Sequence, residues 1–194
     1  MAKRLRQGLE SRALTVTVGD FEQVPSGDDN AYDAVFSATA YHWIEPSKQL
    51  DRPAQLLRLG GLVAIVDLIQ VRSDNDRGFF DAAQPIYGRY GEAHRGPPPP
   101  RRGGVDPPMR ARLEKDQRFE ELAVRRYDWD QTYSAAEYRQ LMLSYSGTEA
   151  MQPTARAGLL DDIEKLVREH FDGEVTRPLV VTLTTATLAA KQPS

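Results

Sequence analysis

Two short stretches carry side chains whose types and spacing suit chemistry. The first is Thr17-Val18-Gly19-Asp20-Phe21-Glu22. Asp20 stands just past a short β-branched run, where open α/β sheets gather ligands around the ends of their strands. A carboxylate there accepts hydrogen bonds from an amine such as the exocyclic group of adenine. Phe21 can lie against a purine face. The plainer alternative is a turn, with Asp20 closing a strand after Gly19 and Phe21 in the core. The second stretch runs from Tyr32 to Ile44. An apolar run ends there in the small residues Ser37 and Ala38, which let a ligand approach the backbone. His42 follows, a side chain able to act as general base or orienting donor near neutral pH. The alternative is that His42 and Trp43 open a helix and pack beneath the sheet. For Trp43 that packing is the reading taken; for His42 both readings stand.

The elements that must position these residues alternate in type. Residues 2–12 read as the end of a helix, with Leu5 and Leu9 at helical spacing. Leu14 to Val18 reads as a strand, 25–30 as a loop and Ala31 to Ser37 as a second buried strand. Ser47 to Leu59 reads as a helix whose regular part Pro53 opens and which Gly60-Gly61 stops. Leu62 to Leu68 is a continuous apolar strand of the kind buried in a parallel sheet. Strand, helix and strand joined by short connections give a doubly wound sheet. Gly60-Gly61 follows a helix and precedes a strand, the reverse of a phosphate loop, so its role is architectural.

From Arg72 to Glu121 the pattern changes. Phe79, Phe80, Ile86, Tyr87 and Tyr90 suggest helical pieces with aromatic anchors, and Gly96 to Pro108, with its run of prolines, is an extended loop. Leu122 to Trp129 reads as a strand. Ser134 with Glu137 forms a capping box before a helix through Leu143. Pro153 to Phe171 is a longer helix ended by Asp172-Gly173, and Leu179 to Leu188 is a final strand.

Composition bounds the functions. A chain of 194 residues with 40% hydrophobic and 27% charged residues is globular, with length enough for one real core. A net charge of −3 gives no field for gripping a nucleic-acid backbone. The chain has no cysteine, which excludes disulfides, thiolate metal sites and a cysteine nucleophile. His42, His94 and His170 lie far apart in sequence, so no metal ligands are assigned. No apolar run approaches the ~20 residues a membrane span needs, and the basic N-terminus lacks a signal peptide's apolar core. A cytoplasmic location is expected.

The Gly19-Asp20-Phe21 turn, the Ser37-Ala38 strand end with His42-Trp43, and Leu56-Leu57-Arg58-Leu59-Gly60-Gly61 occur in an order and spacing that resembles class I S-adenosylmethionine-dependent methyltransferases. The resemblance is to the small-molecule group typified by trans-aconitate methyltransferases, and it covers residues 2–71. It implies S-adenosylmethionine as cofactor, with Asp20 and Phe21 at adenine and Ser37 and Ala38 beside the methionine part. His42-Trp43 matches a recurring pair of the group, and His42 is the candidate catalytic residue. Leu59 stands where the family motif has proline.

The implied fold is α/β. It is a partial, mostly parallel, doubly wound sheet with an antiparallel final strand and a helical, proline-rich insertion at 72–121, the whole of 1–194 forming one incomplete domain. The family orders its strands 3-2-1-4-5-7-6, and its first two strands and Gly-x-Gly-x-Gly turn are not found in this sequence. On that reading the chain is N-terminally truncated, and as written it is expected to be poorly stable and inactive.

Methyl transfer to a small molecule needs mainly in-line positioning, because the sulfonium is already activated. Phe79, Phe80, Tyr87 and Tyr90 could then shape an acceptor pocket, or be core beneath a lid. Arg101 and Arg102 could meet an acidic substrate, or line a solvated loop. The competing function is a non-catalytic remnant that binds or dimerises. A nicotinamide oxidoreductase is disfavoured, because the dinucleotide fingerprint is absent and no Tyr-x-x-x-Lys pair follows a strand.

Overall fold

A computed structural model of the chain describes residues 18–23, 30–72, 77–92 and 98–190. The expected helix over 2–12, the strand from Leu14 up to residue 17, and most of the loop at 25–30 lie outside the described residues.

Strand β1 (Tyr32–Ala38) falls within one residue of the expected run but is largely exposed rather than buried. It pairs in parallel with β2 (Leu57–Gln70), from Ala34 opposite Leu62 to Ala38 opposite Val66. Between them helix α1 (Lys48–Leu56) is shorter than expected, and Pro53 lies inside it rather than opening it. Proline has no N–H, so the carbonyl four residues back, that of Gln49, loses its helical donor. The Tyr41 hydroxyl donates to that carbonyl instead. The sequence rule that favours proline in the first turn failed here because a side chain outside the helix repairs the interior defect.

The glycine pair was also read wrongly. Leu57 is already extended, so α1 ends before Gly60 is reached. Tyr32 faces Leu57 while Ala34 faces Leu62, so the extra residues between them bulge from β2. Gly60 sits there at φ 75°, and a Cβ on Gly61 would come within 2.8 Å of the Arg58 carbonyl oxygen and 3.1 Å of that of Tyr32. Only glycine fits these positions.

The remaining elements are α2 (Phe79–Arg89), α3 (Arg110–Lys115), β3 (Phe119–Ser134), α4 (Ala135–Leu143), α5 (Ser146–Ala150), α6 (Pro153–His170) and β4 (Glu174–Leu188). Ser134 and Glu137 make both bonds of the capping box: the Ser134 N–H donates to the Glu137 carboxylate at 2.8 Å, and the Glu137 N–H to Ser134 Oγ at 3.3 Å. Pro153 begins α6, and Gly173, at φ 81°, closes it by donating to the Val167 carbonyl at 3.0 Å. The sequence reading did not single out α3 within 72–121.

The four strands form one sheet in the order β1-β2-β4-β3. This is the neighbour order the resemblance implied for the family's fourth, fifth, seventh and sixth strands. β3 and β4 run antiparallel: the Ala189 N–H donates to the Arg118 carbonyl, the Thr187 hydroxyl to Glu121, and Thr132 and Thr176 share a hydroxyl hydrogen bond. The final strand, β4, is thus antiparallel to its neighbour β3, as the resemblance implied.

Proximity along the backbone divides the chain into two compact units. The first holds 1–66, 108–124 and 184–194, and the second holds 67–107 and 125–183. The first unit's core joins Leu57, Val63 and Ile65 of β2 to Tyr41, Leu113 and Leu188. The second unit's core joins Phe79 and Ile86 of α2 to Tyr138 and Met142 of α4 and to Leu159, Ile163 and Val167 of α6. Each fully buried aliphatic side chain of this kind contributes roughly 1.5–3 kcal/mol. Phe79 also packs edge-on against Tyr138 and Phe171, at 5.1 and 5.3 Å between ring centres.

Candidate functional site

In the first unit, Phe21–Gln23 is a single turn of 3-10 helix, and Asp20 caps it. One Asp20 carboxylate oxygen accepts from the Glu22 N–H at 2.9 Å, and the other from the Gln23 side-chain amide at 3.0 Å. Asp20 is exposed and Phe21 half-buried. The turn reading of Asp20 is thus realised. Each carboxylate oxygen still has lone-pair capacity for a further donor.

Glu22, which the sequence reading passed over, joins this turn to the chain that follows β1. Its carboxylate accepts from the Glu45 N–H at 2.8 Å and from Lys48 Nζ at 2.9 Å. The Glu45 amide, and after it the Lys48 ammonium, hold the Glu22 carboxyl below the ordinary glutamate range. Glu22 in turn raises Lys48. So the Asp20-Phe21 segment and the segment just past His42-Trp43 are tied by charge.

Ser37 and Ala38 end β1. Thr39 follows at φ 51°, with its N–H donating to the Val66 carbonyl at 2.8 Å. A β-branched residue in the left-handed region is strained and costs about 1–3 kcal/mol. Such strain gathers where strand ends meet ligands. A 3-10 turn, Tyr41–Trp43, comes next.

The packing expected of Trp43 is not found. Trp43 is 77% exposed, whereas its neighbour Tyr41 is 3% exposed and fills the core position. His42 is exposed, its ring 4.9 Å from that of Trp43. A 3-10 turn, with its three-residue repeat, sends only one of the three aromatic side chains inward. Phe36 of β1 is also 67% exposed.

The second unit holds a cleft of about 200 Å³. Phe79, Phe80 and Tyr87, three of the four aromatic residues expected to shape a pocket, line it with Tyr138 and Tyr145. Phe79 belongs to the core as well. Tyr90 does not line the cleft; its hydroxyl donates to Asp162 at 2.8 Å. Burial pushes the Tyr138 phenol well above its ordinary pKa and raises that of Tyr87 too, so both stay protonated. Arg177 of β4 enters the cleft, a residue the sequence reading missed. Arg102 is taken up by an ion pair with Asp130 and is not free for an acidic substrate.

Among the described residues, no group of three or more His, Asp or Glu is placed to hold a metal ion, and no helix is long and apolar enough to cross a membrane.

A mixed α/β chain with these strand-end residues falls among methyltransferase-like folds, and comparison with known proteins agrees. Residues 1–65 match the family described as a methyltransferase domain. Uncharacterized methyltransferases of Mycobacterium bovis and Mycobacterium tuberculosis are each 27% identical over 184 residues, a match covering 91% of this chain and 68% of theirs. A crystal structure of a methyltransferase-designated protein from Bacillus halodurans C-125 aligns over 97% of this chain and 77% of that one. Its TM-score is 0.53 at 16% identity, a likeness of fold. The chain is thus similar to methyltransferases in its first 65 residues and in fold.

Proposed function

We propose that the chain takes part in methyl transfer from S-adenosylmethionine to a small molecule, with the first unit's strand-end rim holding the cofactor. The observation that carries this is the tie through Glu22, which brings the Asp20-Phe21 turn to the segment following β1 and His42. The residues fit the group at its adenine end. Asp20 keeps acceptor capacity for the exocyclic amine, and half-buried Phe21 offers a ring to the purine. Ser37 and Ala38, small and at the end of β1, leave room beside the backbone for the methionine portion. Bound S-adenosylmethionine supplies a methyl group on an activated sulfonium, so the protein's task is positioning. His42 is the group of this rim suited to orient an acceptor or take its proton. Residues 72–121 are proposed as the part that covers the acceptor.

Calorimetric titration of S-adenosylmethionine into the 194-residue chain and into Asp20→Ala tests the assignment. Binding to the wild type that weakens about tenfold or more in the variant is expected. Identical titrations would remove Asp20 from the site, and a wild-type chain that gives no heat would sink the cofactor assignment for this chain.

Exposed Phe36 and Trp43 favour a second reading, in which the chain acts as a non-catalytic binding or dimerising module. Sedimentation that shows a dimer, lost on Phe36→Lys, together with no cofactor binding, would favour it.

A further inference from the structure

The cleft of the second unit shows its preference in which groups already donate to which. Arg177 Nη1 donates to the Tyr145 hydroxyl oxygen at 2.6 Å, and Nη2 donates to Gln70 Oε1 at 2.6 Å. Its Nε is buried and has no hydrogen-bond partner. A buried guanidinium N–H without an acceptor is costly, and such groups mark places where something else accepts.

The phenols point the same way. The Tyr145 oxygen is occupied by Arg177, and the Tyr87 and Tyr138 hydroxyls are hydrogen-bonded to each other. A phenol oxygen that is already accepting still has its hydrogen to give. Beside Tyr138, the Tyr87 hydroxyl finds only Met142 Sδ, at 4.0 Å, a weak acceptor. The cleft therefore presents a cation and two phenolic donors. Glu92, the acid among the lining residues, is exposed to water. The rest of the wall is the rings of Phe79, Phe80 and Tyr138 with Ala83 and the amides of Gln70 and Gln84.

We propose that this cleft binds a small monoanionic acid, a carboxylate on an apolar or aromatic body. Its oxygens meet Arg177 and the Tyr87 and Tyr145 hydroxyls, and its body lies against the rings. One cation and a cavity of about 200 Å³ suit a single carboxylate better than a di- or tricarboxylate. As the class of methyl acceptor, this rests on the methyltransferase reading; as a binding site, it does not.

Calorimetry with sodium benzoate, benzylamine and citrate tests it on the intact chain. Benzoate is expected to bind with a dissociation constant of about 1 mM or tighter, and benzylamine and citrate at least about tenfold more weakly. Arg177→Met should weaken benzoate about tenfold or more with the thermal melt retained. If that variant does not fold, the Tyr87→Phe, Tyr145→Phe double variant decides, with a loss of similar size expected. Absence of benzoate binding, benzylamine or citrate binding as tightly, or unchanged benzoate affinity in a folded variant would each overturn the proposal. Benzoate binding without S-adenosylmethionine binding would leave this site standing and remove the methyltransferase reading; the reverse result would do the opposite.

Discussion

Replacing Tyr41 with phenylalanine removes one oxygen from the first unit, and the structure says what that oxygen does. Pro53 inside α1 leaves the Gln49 main-chain carbonyl without its helical donor, and the Tyr41 hydroxyl makes the bond instead. Both residues are buried, at 3% exposed for Tyr41 and 8% for Gln49. Water therefore cannot easily take over, and stranding a buried carbonyl costs about 1–3 kcal/mol. Against a net stability of about 5–15 kcal/mol, that shifts a urea midpoint measurably at constant slope.

The sharper test is the pair. Pro53→Ala restores an N–H that can reach Gln49. It should therefore stabilise the Tyr41→Phe protein more than it stabilises the wild type, by about 1 kcal/mol or more of coupling. In the wild type the new N–H only competes with a bond already made. A Tyr41→Phe variant within about 0.5 kcal/mol of wild type, or a Pro53→Ala effect identical in both backgrounds, would refute the account.

Two further outcomes follow. Thr39→Gly, which relieves the left-handed strain at φ 51°, should leave stability unchanged or raise it by up to about 1 kcal/mol in thermal melts. A clear loss would mean that the Thr39 side chain itself holds the turn. Burial raises Tyr41, Tyr87 and Tyr138 above the ordinary tyrosine value of 10.0, so the folded state holds these protons more tightly than the unfolded one. Their contribution is fully present below pH 10.0 and is lost as the pH climbs above it, so the melting temperature should hold up to that point and then fall. Phenolate absorbance in which all tyrosines ionise together while the fold persists would contradict this.

What the sequence disclosed about the fold depended on whether a signal was local. The Ser134-Glu137 box and Gly173 after α6 each state their structure within a few residues, and each lies close to where the sequence places it. The errors sit where a distant residue changes the local rule. Pro53 is tolerated mid-helix because of Tyr41, and Gly60-Gly61 serve a bulge against Tyr32 rather than a helix end. The direction of β4 lies in its pairing with β3, which no single stretch reveals; only the family resemblance implied it.

The two candidate sites divide along the same line. The rim is proposed from residues close together in sequence, so Asp20, Phe21, Ser37, Ala38 and His42 can be nominated from short motifs and the family resemblance they carry. Glu22 could have joined them, since an acid beside Asp20 and a lysine at the start of α1 are both visible in the sequence. The cleft is different. Arg177 meets Tyr145 and Gln70 across 32 and 107 residues. The aromatic cluster in α2 announced that rings would gather, but not which cation would enter among them. A basic residue near the start of a Val- and Thr-rich strand looks like ordinary edge decoration. Only the bonds it makes, and the Nε it leaves unpartnered, distinguish Arg177 from the solvated arginines of this chain. For that reason the acceptor's chemistry is sought in the donors the fold leaves unused, and the cofactor's in the order of residues along the strand ends.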